Sequence, residues 1–221
     1  MSATSEKKSI VIALDGPAAS GKGTLSRLIS NHYGLAYLDT GTLYRGVAWL
    51  LLSKGIDPAD MAKAAGVARD FSVEQITNAN IRTPEVGAAA SVVAANPGVR
   101  AGLLEFQRRF AKTPPGGVKG AVLDGRDIGT VVFPDAAVKF YVTASPSSRA
   151  HRRWLEPVKD HPDLEEATVY NDLMERDARD GGRADAPMAR AEDAELLDTT
   201  HLSIDAAFAA ARRVIDGVFR R

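Results

Sequence analysis

Residues 16–24 read GPAASGKGT, between the apolar run Ile10 to Leu14 (IVIAL) and the helical-looking stretch LSRLISNHYG. The run is rich in β-branched residues and has no polar interruption, which suits a central parallel strand covered on both faces; Asp15-Gly16-Pro17 ends it. Gly16, Gly21 and Gly23 give the loop the freedom to turn successive N–H groups onto an anion, and a helix starting near Gly21 to Lys22 adds its positive dipole end. In this solvent-facing loop Lys22 is predicted to reach β and γ phosphates as a mobile point charge. The Thr24 hydroxyl is predicted to help hold Mg²⁺. Both groups suit a nucleoside triphosphate. The general pattern G-x-x-x-x-G-K-[ST] is altered here: Gly23 stands between the lysine and the hydroxyl residue.

Outward from the loop, five short runs read as parallel strands: Ile10 to Leu14, Ala36 to Leu38, Ala121 to Asp124, Val138 to Val142 and Glu195 to Asp198. Helical segments separate them. Val47, Leu50, Leu51 and Lys54 continue a helical spacing begun at Leu43, and Leu202, Ala206, Ala209, Val214 and Val218 suit a closing helix on the sheet. This alternation predicts an α/β fold, a doubly wound core with a five-stranded parallel sheet flanked by helices. Ligands in such folds sit at the carboxyl ends of the strands, where Asp15-Gly16, Asp39-Thr40 and Asp124-Gly125 all lie.

The chain is read as one domain with two insertions. The core covers about 9–55, 113–149 and 191–221; an alanine-rich helical insertion covers about 56–112, interrupted by IRTPEV, TPPGG and a turn at Asn96-Pro97-Gly98. A second, mobile insertion at about 150–190 carries RAHRRW and ERDARDGGR and ends in a turn around Ala186-Pro187. With 221 residues and 45% hydrophobic content the core is ample, and 28 basic against 28 acidic residues leave no global field toward nucleic acid or an anionic membrane. The absence of cysteine excludes disulfides and thiol redox chemistry. MSATSEKKS reads as a short disordered lead without the apolar region of a secretory signal, and GVAWLLLS is too short to span a bilayer. A cytoplasmic monomer is expected.

GPAASGKGT, LDTGTLYR, IRTPEVGAAASVVAANPGVR, DGRDIGTVVFPDA and ERDARDGGR together resemble the bacterial-type cytidylate kinases, of the nucleoside monophosphate kinase family of P-loop kinases. The resemblance runs from about Ile10 to LDTTHLSID; the stretch between about Gly66 and Ile81 is shorter than the family's insertion. It implies Mg²⁺-assisted transfer of the γ-phosphoryl of ATP to CMP or dCMP. The ATP-binding residues would be Gly16, Pro17, Ala18, Ala19, Ser20, Gly21, Lys22, Gly23 and Thr24. Residues 56–112 would be the monophosphate-binding insertion and 150–190 a lid.

Such a transfer needs positioning and charge screening, so the site should hold several arginines and few general bases. Arg45 follows the second strand, Arg126 the third, and Arg176, Arg179 and Arg183 sit in the second insertion. The resemblance makes Arg45 and Arg126 acceptor-phosphate ligands, with Thr40 on the same nucleotide; a helix cap is its plainer role, and the two are compatible. It makes Arg176 the screen of the transferring phosphate, and places Asp180 and Arg183 on the acceptor sugar or phosphate. An i,i+4 ion pair of Arg176 with Asp180 is the plainer reading, and Gly181-Gly182 should end that helix. Lys22, Arg126 and Arg176 are the catalytic set. Asp124 ends an apolar strand where a carboxylate could help hold Mg²⁺ near Thr24, or simply form the turn before Gly125. Ser91, Arg100 and Asp127 would read cytosine, a carboxylate suiting its 4-amino group, unless Asp127 only orients Arg126. His32, His151, His161 and His201 show no metal-binding spacing.

Three other readings compete. A different monophosphate or small-molecule kinase would lack the GRD after the third strand. A GTP-binding switch needs N-K-x-D, and no asparagine here precedes a lysine. A nucleic-acid-binding ATPase is disfavoured by the neutral charge and the acids interleaved among the arginines.

Overall fold

The computed structural model describes residues 9–76, 80–156 and 163–220. The N-terminal lead before Ser9, Asn78 and His161 lie outside them. Five parallel strands, β1 (Ile10–Asp15), β2 (Ala36–Asp39), β3 (Gly120–Asp124), β4 (Val138–Thr143) and β5 (Glu195–Asp198), form one sheet in the order β2-β3-β1-β4-β5. The α-helices between and after them are α1 (Lys22–Tyr33), α2 (Thr40–Ser53), α3 (Met61–Arg69), α4 (Pro84–Val93), α5 (Pro97–Lys112), α6 (Pro146–Trp154), α7 (Glu166–Gly181) and α8 (Ile204–Phe219). The sheet register pairs Leu14 with Asp124 and Asp39 with Asp124, so acidic side chains collect at one sheet end.

Side chains alternate across each strand, and β1 shows the result. Ile12 and Leu14 pack with α1 and α8 through Leu25, Ile29, Ala211 and Ile215. Val11 and Ala13 pack on the other face with Ala111 of α5 and with Ile128 and Val132 of a π-helical turn, Ile128–Val132. A separate apolar cluster joins α2, α3, α4 and α5 around Leu43, Val47, Leu51, Val93 and Leu103. The helical layer thus begins with α2, before residue 56, and α5 links it to the sheet.

Two local expectations need correction. On α8 the sheet-facing residues are Ala207, Ala211 and Ile215, whereas Leu202, Ala206, Ala209 and Val218 are exposed. Asn96-Pro97-Gly98 opens α5 directly: the Asn96 side chain accepts from the N–H groups of Gly98 and Val99, and Pro97 occupies the first turn. Thr83-Pro84 opens α4 in the same way.

Candidate active site

The loop after β1 has backbone conformations of the kind an anion nest needs. Gly16 has φ +133°, and a Cβ there would lie 2.1 Å from the Val142 carbonyl oxygen; Ala19 holds φ +58°, a left-handed conformation uncommon outside glycine. Three carbonyls of the loop are held by protein donors. Lys22 Nζ donates to Pro17 O at 3.1 Å, Arg149 Nη1 donates to Ala18 O at 3.2 Å, and the Thr199 hydroxyl lies 3.0 Å from Ser20 O. Peptide units held by their carbonyls present their N–H groups to the opposite side, as an anion nest requires. The Ser20 Oγ is buried and makes no hydrogen bond.

Lys22 is not in a solvent-facing position. It is the first residue of α1 and only 6% exposed. Burial, and then Arg126, push its amine down to about 7, against Asp124, Asp15 and Asp39, so an arriving phosphate would restore its charge.

Thr24 does not stand beside Asp124. Successive α-helical residues are rotated by about 100°. Gly23 therefore faces the main cavity, where its Cβ would sit 3.6 Å from both Asp124 Oδ2 and the Tyr37 hydroxyl. Thr24 is exposed and lines a second recess of about 200 Å³ with Gly21, Leu25, Arg152, Thr199 and Ile204. Thr24 and Asp124 do not share a cavity. Tyr37 instead donates to Asp124 at 2.7 Å, filling the place of the hydroxyl that ordinarily follows the lysine.

The main cavity, about 260 Å³, lies at the carboxyl ends of β1, β2 and β3 and is lined by nine basic and five acidic side chains. Among them are Thr40, Arg45, Ser91, Arg100, Arg126, Asp127, Arg176, Asp180 and Arg183, so the structure brings the predicted acceptor residues together. Arg126 Nε donates to Asp180 Oδ2 at 2.8 Å. Burial alone would raise the Asp180 carboxyl, but Arg126, Arg176 and Arg183 outweigh it and hold the carboxyl low. The plainer reading of Arg176 holds in part: its Nε pairs with Asp180 Oδ2 at 4.0 Å, the longest reach of an ion pair, but is buried and makes no hydrogen bond. Burial and Arg126 push that guanidinium down to about 10. An under-neutralised cation facing a cavity is suited to an anionic ligand. Arg45 donates to Ile81 O at 3.2 Å and Arg183 to Ala94 O at 3.3 Å. Gly181 ends α7, as expected.

Thr40 is not a helix cap; Asp39 holds that position, and the Thr40 hydroxyl donates to Asp124 O at 2.7 Å. Asp127 does not orient Arg126. Its carboxylate takes a hydrogen bond from Arg100 Nη2, with both side chains buried, and Arg100 lies over the Tyr44 ring at 5.9 Å. Ser91 Oγ accepts from Arg179 Nε at 3.3 Å.

Tyr37, Tyr44, Arg82 and Arg153 also line this cavity and were not singled out from the sequence, and Asp39, read only as a strand end near the ligand, lines it too. Asp39 and Tyr44 stand inside LDTGTLYR, so the motif carried them; Arg82 and Arg153 lie in segments whose place in space the sequence did not show. Asp15 is a further case. Its buried carboxylate accepts from the N–H groups of Ile128 (2.8 Å) and Gly129 (2.7 Å), fixing the turn after Arg126 and Asp127. Asp15→Asn presents one acceptor and one donor to two donors. It should cost about 1–3 kcal/mol in urea unfolding at pH 7. Burial raises the wild-type carboxyl from 3.8 to about 6. The folded state therefore holds the extra proton across that window, and wild-type stability from this group falls as pH rises through it. The loss on substitution should be larger at pH 4 than at pH 7; equal losses would sink this account of Asp15.

Among the described residues, no group of three or more His, Cys, Asp or Glu could hold a metal, and no helix is long and apolar enough to cross a membrane. His32 packs edge-on against Tyr33 and Phe208, and His151 lies 3.2 Å from Glu166.

The family model for cytidylate kinase matches residues 12–216. A cytidylate kinase of Paramagnetospirillum magneticum is 54% identical over 207 residues, 94% of this chain and 98% of that protein. One of Bradyrhizobium sp. is 52% identical over 209 residues, 95% of this chain and 97% of that protein. The crystal structure of an uncharacterized protein from Eubacterium ventriosum covers 94% of this chain and 98% of its own, at 14% identity and a TM-score of 0.53, which bears on the fold alone. A family model matched over residues 12–216 and relatives matched nearly end to end at about half identity agree: the chain belongs to the cytidylate kinase family.

Proposed function

We propose that this kinase transfers the γ-phosphoryl group of ATP to CMP or dCMP, giving ADP and CDP or dCDP. The carrying observation is one cavity lined both by Lys22 and the loop after β1 and by Ser91, Arg100 and Asp127. The acceptor phosphate is itself the nucleophile, so the residues needed are cations that bring two anions together. Arg45 and Arg126 hold the acceptor phosphate, Lys22 follows the γ-phosphoryl group, and Arg176 screens the charge spread over it in the transition state. The second recess, apolar and adjoining the loop at Gly21 and Thr24, takes the adenosine. The helical insertion at 56–112 carries the acceptor, and residues 150–190 close over both nucleotides to exclude water.

Mg²⁺ fits the strand ends. Asp124 is buried and fixed by Tyr37, and burial and then Asp39 raise its carboxyl, a cost a cation would relieve. Asp124 and Asp39 would hold the ion, which supplies charge neutralisation on the β and γ phosphates.

A coupled ADP-release assay with ATP and Mg²⁺ against CMP, dCMP, UMP, AMP and GMP tests the assignment; faster turnover of AMP than of CMP removes it. The base is read by Asp127 accepting from the 4-amino group, with Arg100 and Ser91 near the ring acceptors. Uracil would set an oxygen against that carboxylate, a mismatch of about 1–3 kcal/mol or more. Asp127→Asn can turn its amide to donate, so the CMP:UMP ratio of kcat/KM should fall by about tenfold or more. Equal losses for both acceptors would leave Asp127 only the role of holding Arg100.

A further inference from the structure

We infer that Arg149 and Asp177 are positioning residues that set Arg176 and the phosphate loop in one fixed relation. The inference rests on the reading of Arg176 as the cation at the transferring phosphoryl group, and concerns how that cation is aimed.

Arg149 lies on α6, outside the main cavity, with its side chain 5% exposed. Its guanidinium joins three elements. Nε donates to Ala144 O after β4 at 3.1 Å, Nη1 donates to Ala18 O in the loop at 3.2 Å, and Nη2 pairs with Asp177 Oδ2 on α7 at 2.6 Å. The fork geometry of arginine allows this three-way junction; a lysine ammonium carries no such planar array. Ala18 precedes Ala19, the non-glycine loop residue with positive φ, so the junction touches the loop at its most constrained point.

Asp177 follows Arg176 directly in the chain. Arg176 Nε has no hydrogen bond of its own; its 4.0 Å pair with Asp180 Oδ2 is too long to fix where the guanidinium points. The fixing is done one residue on. Asp177 makes its ion pair with Arg149, its Oδ1 being buried without a hydrogen bond, and this pair ties α7 to the loop, whereas the Arg126–Asp180 and Arg179–Ser91 contacts tie α7 to other elements. Apolar packing adds only a looser restraint: Ala18 and Ala19 rest against Ala150, Val169 and Leu173 of α6 and α7. Such a surface permits sliding, while a buried charge-assisted hydrogen bond fixes direction.

The test is a kinetic cycle at saturating ATP and CMP with wild type, Asp177→Asn, Arg176→Ala and the double variant. Asp177→Asn keeps the side-chain shape but weakens the pair, and should lower kcat by roughly 10- to 100-fold through misplacement, with KM for CMP little changed. Arg176→Ala should lose about 10³-fold. The double variant should be no slower than Arg176→Ala within about twofold, because Asp177 acts only through Arg176. Losses that multiply in the double variant overturn the inference, as does an unchanged kcat for Asp177→Asn. Unchanged kcat for Arg176→Ala overturns the underlying reading of the site, a result distinct from either. If Asp177→Asn melts below the assay temperature, Arg149→Lys replaces it in the same cycle: it retains the charge, loses the three-way fork, and must show the same non-additivity with Arg176→Ala.

Discussion

Arg176→Ala is expected to lower kcat for CMP by about 10³-fold or more while KM for CMP and ATP changes far less, and it should do so in a protein that folds and melts normally. Arginines supplied to comparable phosphoryl transfers are worth about 10³–10⁵ in rate, because charge spread over the equatorial oxygens exists only in the transition state. The structure sharpens that expectation. Were its pair with Asp180 the whole role of Arg176, its removal would cost one i,i+4 helix pair, about 0.3–0.5 kcal/mol, and little activity. Asp180 is held closer by Arg126, at 2.8 Å, and Arg176 reaches it only at 4.0 Å, its pKa lowered by burial and by Arg126. A cation kept in that condition costs stability in the free protein, so Arg176→Ala should leave Tm unchanged or raised. Steady-state kinetics with a Tm measurement settles it: a KM-dominated loss would make Arg176 a ground-state ligand, and an unchanged kcat would return it to a structural role.

The strands were legible because short apolar runs, four of the five closed by Asp-Gly or Asp-Thr, have few other ways to fold, and all five lie within one residue of where the sequence places them. The face of α8 was not. Alanine at 206, 207, 209, 210 and 211 gives no contrast around the helix, and the larger residues Leu202 and Val218 drew the apolar stripe off the true line through Ala207, Ala211 and Ile215. Within the site, residue identity was readable and pairing was not. Arg100 and Asp127 stand 27 positions apart, Arg126 and Asp180 54, and only folding shows which cation meets which carboxylate. The separation of Thr24 from Asp124 was not readable from the motif as a string. One inserted glycine turns the hydroxyl by about 100° around α1, into the neighbouring recess, and the Tyr37 hydroxyl, 14 residues after Gly23 on another element, stands by Asp124 instead.

Lys22→Met should lower kcat by about 10²–10³-fold, the usual loss when one preorganised charge is removed from a transition state, and should also stabilise the free protein in a pH-dependent way. Methionine retains the buried stem and deletes the amine. In the free protein that amine sits near 7, against 10.5 for an unperturbed lysine, chiefly because burial penalises the charge. The sign follows from proton counting. Between about 7 and 10.5 the unfolded chain binds the proton and the folded chain does not, so wild-type stability rises with pH across that window. Below about 7 the folded protein carries the full cost of a buried ammonium. The Tm gain of Lys22→Met should therefore be greatest at pH 6 and shrink steadily toward pH 10. ATP binding supplies the second reading. Its phosphates restore the charge, so at pH 8 wild type should take up a proton on binding ATP, seen as a dependence of the calorimetric enthalpy on the ionisation enthalpy of the buffer. Lys22→Met should show no such uptake from this site. Near-normal turnover by the folded variant would remove Lys22 from the reaction. A Tm gain independent of pH would place the stabilisation in packing rather than in the buried charge.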